Sequence, residues 1–388
     1  MTFSRRQFLG SALPLGAVAF AAPNLLLADD KPPAPGSAPA PSLDDAVVLA
    51  GDAVPQSAAG YARKLQELVE KHDKPMDFYL KEGAVAELEA KFSALLGKED
   101  TVFMPTGTLA NHVALRLLCG ESRHALVQQE SHVYRDEADA IPILSGINLV
   151  PLAPGKGAPT FDEVKEAIDR AEIGPYPIKV GAIGLESPVR RADGETVPAA
   201  LIAQIAKLAR EKNIPMHLDG ARLLLMSGMP GFDVKSYCEP FDTVYVSLYK
   251  YLNAPFGGVL AGTKAQMARA RELRHIFGGL ILHGWEAALP ALDTLDGFTE
   301  RFATVRQAGE RLLARLDKTS GFKVHRVPNG SNIAFVEVSA KRQAGLEERM
   351  KAANVRIGKV HDGKLQIAFN ETLLRRDTDY LLAAFSGT

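Results

Sequence analysis

Four segments of this 388-residue chain place reactive polar side chains directly after apolar runs. Ligands of open α/β sheets gather outside the carboxyl ends of the strands, so such positions are where chemistry is expected. Val102-Phe103-Met104 gives way to Pro105-Thr106-Gly107-Thr108 and then to helix-forming Leu109-Ala110-Asn111. Small and hydroxyl residues at a helix start offer N–H groups and an Oγ to an anion such as phosphate, or serve as a plain N-cap through Thr106 or Thr108. A second run leads into Gln129-Glu130-Ser131-His132, where the imidazole is either a structural group or a pocket group. Met216-His217-Leu218 ends in Asp219-Gly220-Ala221-Arg222. A carboxylate at the end of a buried strand needs a cationic partner, which either Arg222 or a protonated ligand nitrogen would supply. The fourth run, Val244 to Leu248 with Ser247 near its end, is followed by Lys250 between Tyr249 and Tyr251. Loss of hydration in such surroundings lowers an amine's pKa and makes it nucleophilic.

The elements that must hold these groups are legible in the apolar pattern. Helical spacing is expected after Pro55 and over Ala84–Leu96, where Gly97 stops it. Strands are expected at Thr101–Met104, Ala125–Val127, Leu149–Leu152, Val180–Leu185, Met216–Leu218, Val244–Leu248 and Val259–Ala261. Near-continuous apolar strands alternating with helices predict an α/β fold with a mostly parallel, mixed sheet covered on both faces. After Trp285 the pattern changes to a long helix over Phe298–Leu316, strands at 332–338, 355–357 and 365–369, a helix near 345–353 and a last helix from Asp377. The expected division is a large α/β domain over 43–285 and a small C-terminal α+β domain over 286–388.

Composition narrows the function classes. Lys+Arg 45 against Asp+Glu 46 leaves a net charge of -1, which argues against a nucleic-acid groove or a polybasic membrane face. Two cysteines, Cys119 and Cys238, are too few for a disulfide scaffold or a cysteine-built metal site. Residues 1–42 are different material. Arg5-Arg6-Gln7-Phe8-Leu9 precedes an apolar stretch broken by Gly10, Pro14, Gly16 and Pro23, with small-residue cleavage sites at Ala19–Ala21 and near Ala28. This is the pattern of a twin-arginine export signal rather than of a stable membrane span, followed by a Pro/Ala-rich linker to Ser42. A periplasmic or exported bacterial protein is expected.

Taken in order, the four segments match a pyridoxal phosphate site. The sequence resembles the threonine aldolase family, within the β-eliminating lyase group of fold-type I pyridoxal phosphate enzymes. The resemblance runs from about Val47 to the C-terminus and is strongest at Phe103–Asn111, His217–Arg222 and Ser247–Lys250. It implies that Lys250 carries the cofactor as a Schiff base, that Asp219 pairs with the pyridine nitrogen, and that His132 stacks on the ring. Thr106, Gly107 and Thr108, with Ser247, would hold the phosphate. Arg222 would reach the ring hydroxyl or the substrate carboxylate. The implied reaction is cleavage of a threonine-like β-hydroxy-α-amino acid to glycine and an aldehyde, with His132 or a bound water as base. A homodimer or homotetramer is implied.

The substrate half departs from the family pattern. The family's N-terminal Arg-Ser-Asp-Thr is Ala50-Gly51-Asp52-Ala53, and Gln366 stands where a C-terminal arginine usually meets the substrate carboxylate. Lys364 is then the nearest cation on that strand. Glu186-Ser187-Pro188-Val189-Arg190-Arg191 replaces the Glu-Asn-Thr-His segment, which makes Arg190 a candidate for the carboxylate. Leu282 stands near another family arginine, beside His283. These changes leave open a different fold-type I activity (β-elimination, racemisation or transamination of another amino acid), or an exported protein that binds the cofactor without turnover.

Overall fold

The computed structural model describes residues 43–387; the export signal and linker expected over 1–42 lie outside the described residues. Among the described residues twelve strands form: β1 Val47–Val48, β2 Asp100–Met104, β3 His124–Gln128, β4 Asn148–Leu152, β5 Val180–Glu186, β6 Met216–Asp219, β7 Thr243–Ser247, β8 Gly258–Gly262, β9 Phe322–Arg326, β10 Ile333–Val338, β11 Val355–Arg356 and β12 Lys364–Ala368. Seven of them build the main sheet in the order β2-β8-β7-β6-β5-β3-β4. The pairs β4–β3–β5–β6–β7 are parallel, and β8 alone runs antiparallel to its neighbours β7 and β2. Every residue of β5, β7 and β8 is buried, as expected of strands covered on both faces. This is the mixed sheet, covered on both faces, that the apolar runs predict, with the mostly parallel order that the fold-type I resemblance implies.

The topology has one consequence for function. The carboxyl ends of β2, β3, β5, β6 and β7 open on the same edge of the sheet, so residues far apart in sequence converge there. Local chemistry fixes the helices that carry the chain between them. Helix Gly83–Leu96 stops at Gly97, whose φ of 67° only glycine adopts without cost, with its N–H bonded to Ser93 O. Helix Phe161–Glu172 starts in a reciprocal capping box between Thr160 and Glu163.

The C-terminal part packs helix Phe298–Asp317 against an antiparallel sheet in the order β12-β10-β9. Strand β9 is not in the sequence reading. Its Phe-Lys-Val-His-Arg run is short, charged and half-exposed, so pairing with β10 makes the strand rather than any apolar pattern. Strand β1 pairs in parallel with β11 across more than three hundred residues, and it is tied on its other side by Val48 N donating to Thr372 Oγ1 at 2.8 Å and Asn370 Nδ2 donating to Val48 O at 2.9 Å. The first described strand therefore sits on the C-terminal unit. Cys119 and Cys238 are both free and buried, and burial pushes each thiol up to about 12. No helix of the described residues is long and apolar enough to cross a membrane.

Candidate active site

A cavity of about 360 Å³ opens at the carboxyl edge of the sheet. Thr106, Gly107, Thr108, His132, Asp219 and Lys250, all singled out in the sequence, line it together. Tyr249, the expected neighbour of Lys250, joins the wall, and Asp136, Tyr245 and Phe256, to which the sequence reading gave no role, complete much of it.

The threonine turn closes the bottom of helix Gly107–Cys119. Thr106 is the N-cap: its Oγ1 accepts from Leu109 N at 3.2 Å. The plain capping role thus falls to Thr106, and the first-turn N–H groups at Gly107 and Thr108 remain for an anion. Glycine is obligatory at 107, because a Cβ there would lie 2.3 Å from the Tyr245 hydroxyl. Ser247, buried at the end of β7, has an Oγ that closes no hydrogen bond of good geometry. A buried hydroxyl so placed is the kind of donor a phosphate satisfies.

Asp219 stands at the end of β6, and its partner is not Arg222. Asn111 Nδ2 donates to Asp219 Oδ2 at 2.8 Å, and Ala221 N donates to Oδ1 at 3.1 Å. The same Asn111 amide donates to Glu137 Oε1 at 2.8 Å, while His217 Nε2 and Asn111 Oδ1 are 3.1 Å apart. Burial pulls His217 down to about 4, so the ring is neutral and donates through Nε2. Thr243, His217 and Asn111 thus form a chain that fixes the Asp219 carboxylate without supplying a positive charge. The cation that such a carboxylate calls for is left to a ligand.

His132 begins the short helix His132–Arg135 and sets its Nδ1 2.9 Å from Glu137 Oε1. Burial disfavours the imidazolium, but the Glu137 hydrogen bond and the Asp219 and Glu137 charges outweigh it and raise the His132 pKa. Lys250 lies in the turn after β7 with its Nζ 5.7 Å from the Tyr249 ring centroid. Loss of hydration, then the Arg222 charge, lowers its amine to about 8, against the pull of Asp219 and Glu186. A shift of that size brings free amine into the neutral range, as a lysine nucleophile requires.

Arg222 is committed to Asp52, with Nε 2.6 Å from Oδ2. Neither residue lines the cavity, but the charges of both act on Lys250, so the Asp52 of the altered N-terminal segment stands behind the site although the family serine is missing. Arg190 lies at the rim: its backbone N donates to Glu186 Oε1 at 2.9 Å, and its guanidinium stands 4.0 Å from Asp136, which Arg191 grips with two hydrogen-bonding nitrogens.

Lys364 is not brought to the site. It opens β12 opposite Glu337 of β10, on the strand face away from buried Leu365 and Ile367. The strand alternation that buries those two residues turns Lys364 to solvent. His283 also lies outside the cavity wall, with Nδ1 2.7 Å from Asp77 O and its ring beside Phe78. Glu186, Glu137, Asn111 and Asp52 escaped the sequence reading of the site, since each has a partner that lies between 26 and 170 residues away.

The donor set fits pyridoxal phosphate: an anion turn, a fixed carboxylate and an amine of lowered pKa line one cavity, with the unsatisfied Ser247 hydroxyl at the end of β7. The β-eliminating lyase family matches residues 58–339. The low specificity L-threonine aldolase of Escherichia coli (strain K12) is 29% identical over 282 residues, covering 72% of this chain and 82% of that protein. The low-specificity L-threonine aldolase of Candida albicans is 31% identical over 223 residues, which span 56% of this chain and 58% of that protein, less than two thirds of its length. A solved structure from Listeria monocytogenes EGD-E, assigned provisionally as an L-allo-threonine aldolase, superposes with a TM-score of 0.73 at 26% identity over 87% of this chain and 94% of its own.

Proposed function

The chain belongs to the β-eliminating lyase family, and within it we propose an aldehyde lyase that cleaves a threonine-like β-hydroxy-α-amino acid to glycine and an aldehyde. It is a pyridoxal phosphate-dependent lyase. The finer reading rests on one observation: Lys250 and Asp219, at the ends of neighbouring strands β7 and β6, share a cavity with the Thr106–Thr108 turn.

Bound in that cavity, pyridoxal phosphate supplies an electron sink for the pair released when the Cα–Cβ bond breaks. Lys250 is the residue that would hold it covalently, since its lowered pKa leaves an unprotonated amine. Asp219 would keep a ring nitrogen protonated, and its fixed position between Asn111 and the Ala221 N–H spares it reorganisation. Gly107 and Thr108, with Ser247 Oγ, would bind the phosphate. His132 covers one side of the cavity, and its Nδ1 engagement with Glu137 leaves Nε2 to take the β-hydroxyl proton, directly or through a water. Arg222 and Arg190 are the cations offered to the substrate carboxylate, Arg222 oriented by Asp52 and Arg190 held only at 4.0 Å from Asp136, whose hydrogen bonds Arg191 takes. Product analysis tests this reading: glycine and acetaldehyde in equal amounts from threonine support it, whereas ammonia with a keto acid, or D-amino acid, would replace it by elimination or racemisation.

Two further features belong to this proposal. Met76, Phe78, Tyr79 and Leu282 expose an apolar patch beside His283, which supports a face covered by a second copy of the chain. The paired Arg5 and Arg6 support export by the twin-arginine route, which carries folded proteins and so suits one that acquires its cofactor before leaving the cytoplasm.

A further inference from the structure

Glu186 ends β5 directly beside Asp219, its register partner on β6. Its side chain makes two contacts, one through each oxygen. His132 N donates to Oε2 at 2.6 Å, and Arg190 N donates to Oε1 at 2.9 Å. The residue is itself locked, because Gln128 Oε1 accepts from Glu186 N at 2.7 Å while Gln128 Nε2 donates to Glu186 O at 2.8 Å. Resting on the functional reading above, we propose that Glu186 is a positioning residue whose ionised carboxylate sets the spacing between His132 in the cavity wall and Arg190 beside it.

Three observations favour this over a plain loop staple. The two N–H groups belong to the very residues assigned to the cofactor side and the substrate carboxylate, and they come from segments 54 and 4 residues away. Both contacts need an acceptor, so an amide cannot satisfy them together, and the carboxylate anion accepts at both oxygens more strongly than the protonated acid. Keeping that anion is costly: the residue is buried, and burial followed by the Asp219 charge raises its pKa to about 7. The groups facing it are Asp219, Arg222, Lys250 and Arg191, together with the two backbone donors. A neutral side chain would be easier to bury, so retention of the acid is explained by what it positions rather than by stability.

The test is a double-mutant cycle read by pyridoxal phosphate titration of apoprotein at pH 8, using wild type, Glu186→Gln, His132→Ala and the double variant. Glu186→Gln is expected to weaken cofactor binding about tenfold, with the unfolding midpoint of the apoprotein within a few degrees of wild type. Because Glu186 acts through His132, the double variant binds no more weakly than His132→Ala alone. Multiplying effects, or unchanged cofactor affinity in Glu186→Gln, overturn the proposal. Should Glu186→Gln fail to fold, Glu186→Asp keeps the charge but shortens the reach: intermediate affinity supports the proposal, and wild-type affinity overturns it. The second arm is kinetic. Glu186→Gln is expected to raise KM for threonine about tenfold with little change in kcat, the same change expected of Arg190→Met, and an unchanged KM counts against the Arg190 half. If the wild type releases no glycine, the aldolase reading falls while the cofactor cycle still decides the role of Glu186.

Discussion

Asn111 Nδ2 lies 2.8 Å from Asp219 Oδ2 and 2.8 Å from Glu137 Oε1, so one amide separates two buried carboxylates. Without it two like charges would face each other in a dry environment, and neither would be fully hydrogen-bonded. Asn111→Ala is expected to lower stability by about 1–3 kcal/mol and to weaken cofactor binding. Asn111→Asp, which adds a third charge, is expected to be worse on both counts. Thermal unfolding and cofactor titration measure the two effects; a cofactor affinity unchanged in Asn111→Asp would contradict the role given to Asp219.

The second prediction concerns Arg222 and Asp52, a largely buried ion pair with Nε and Oδ2 2.6 Å apart. Removing one partner of such a pair leaves an uncompensated charge and costs about 3–5 kcal/mol. Asp52→Asn keeps the shape, so it is expected to destabilise less than Asp52→Ala and to raise KM for the amino acid more than it lowers kcat. Steady-state kinetics on the two variants decide this, and a fall in kcat at constant KM would place Arg222 elsewhere in the mechanism.

Gly107 gives a steric prediction. A Cβ at 107 would lie 2.3 Å from the Tyr245 hydroxyl and 2.8 Å from Cζ, and both belong to a buried ring with no room to retreat. Gly107→Ala is therefore expected to abolish phosphate binding at the turn. Adding Tyr245→Phe removes the closer atom and restores part of the cofactor affinity. Full binding in Gly107→Ala alone, read by absorbance titration, would contradict this packing.

Much of this arrangement is legible in the sequence, and the limit has a physical cause. Strand ends announce themselves because β5, β6 and β7 are mostly apolar and buried along their length, so Asp219 and Lys250 stand out against them. Glu186 stands at such an end too, but its importance lies in backbone donors from His132 and Arg190, and backbone groups carry no sequence signature. Asn111 looks like any polar helix residue until β6 brings Asp219 against it. Lys364 misled for the opposite reason: a cation near the right point of the chain was counted without the strand alternation that turns it outward. Strand β9 and the β1–β11 pair are made by long-range pairing, which short apolar patterns do not encode.

Glu186 also gives a pH prediction with a definite sign. Its carboxyl titrates at about 7 in the folded protein against an ordinary 4.5, so the folded state holds the proton more tightly. Stability of the apoprotein contributed by this group is full below about pH 4 and falls as pH rises to about 7, by an amount on the order of a few kcal/mol. Glu186→Gln is expected to flatten that slope in denaturant unfolding followed from about pH 5 to about pH 7. An identical slope in the variant would mean that the group is ionised throughout.

The claim on which the account turns is that Lys250 is the residue holding the cofactor. Borohydride reduction of the cofactor-loaded protein, followed by digestion and mass spectrometry, reads this directly. The expected result is a phosphopyridoxyl group on the peptide containing Lys250, with neither modification nor cofactor absorbance in Lys250→Ala. A modified lysine at any other position, or a Lys250→Ala protein that keeps the full absorbance, would contradict it.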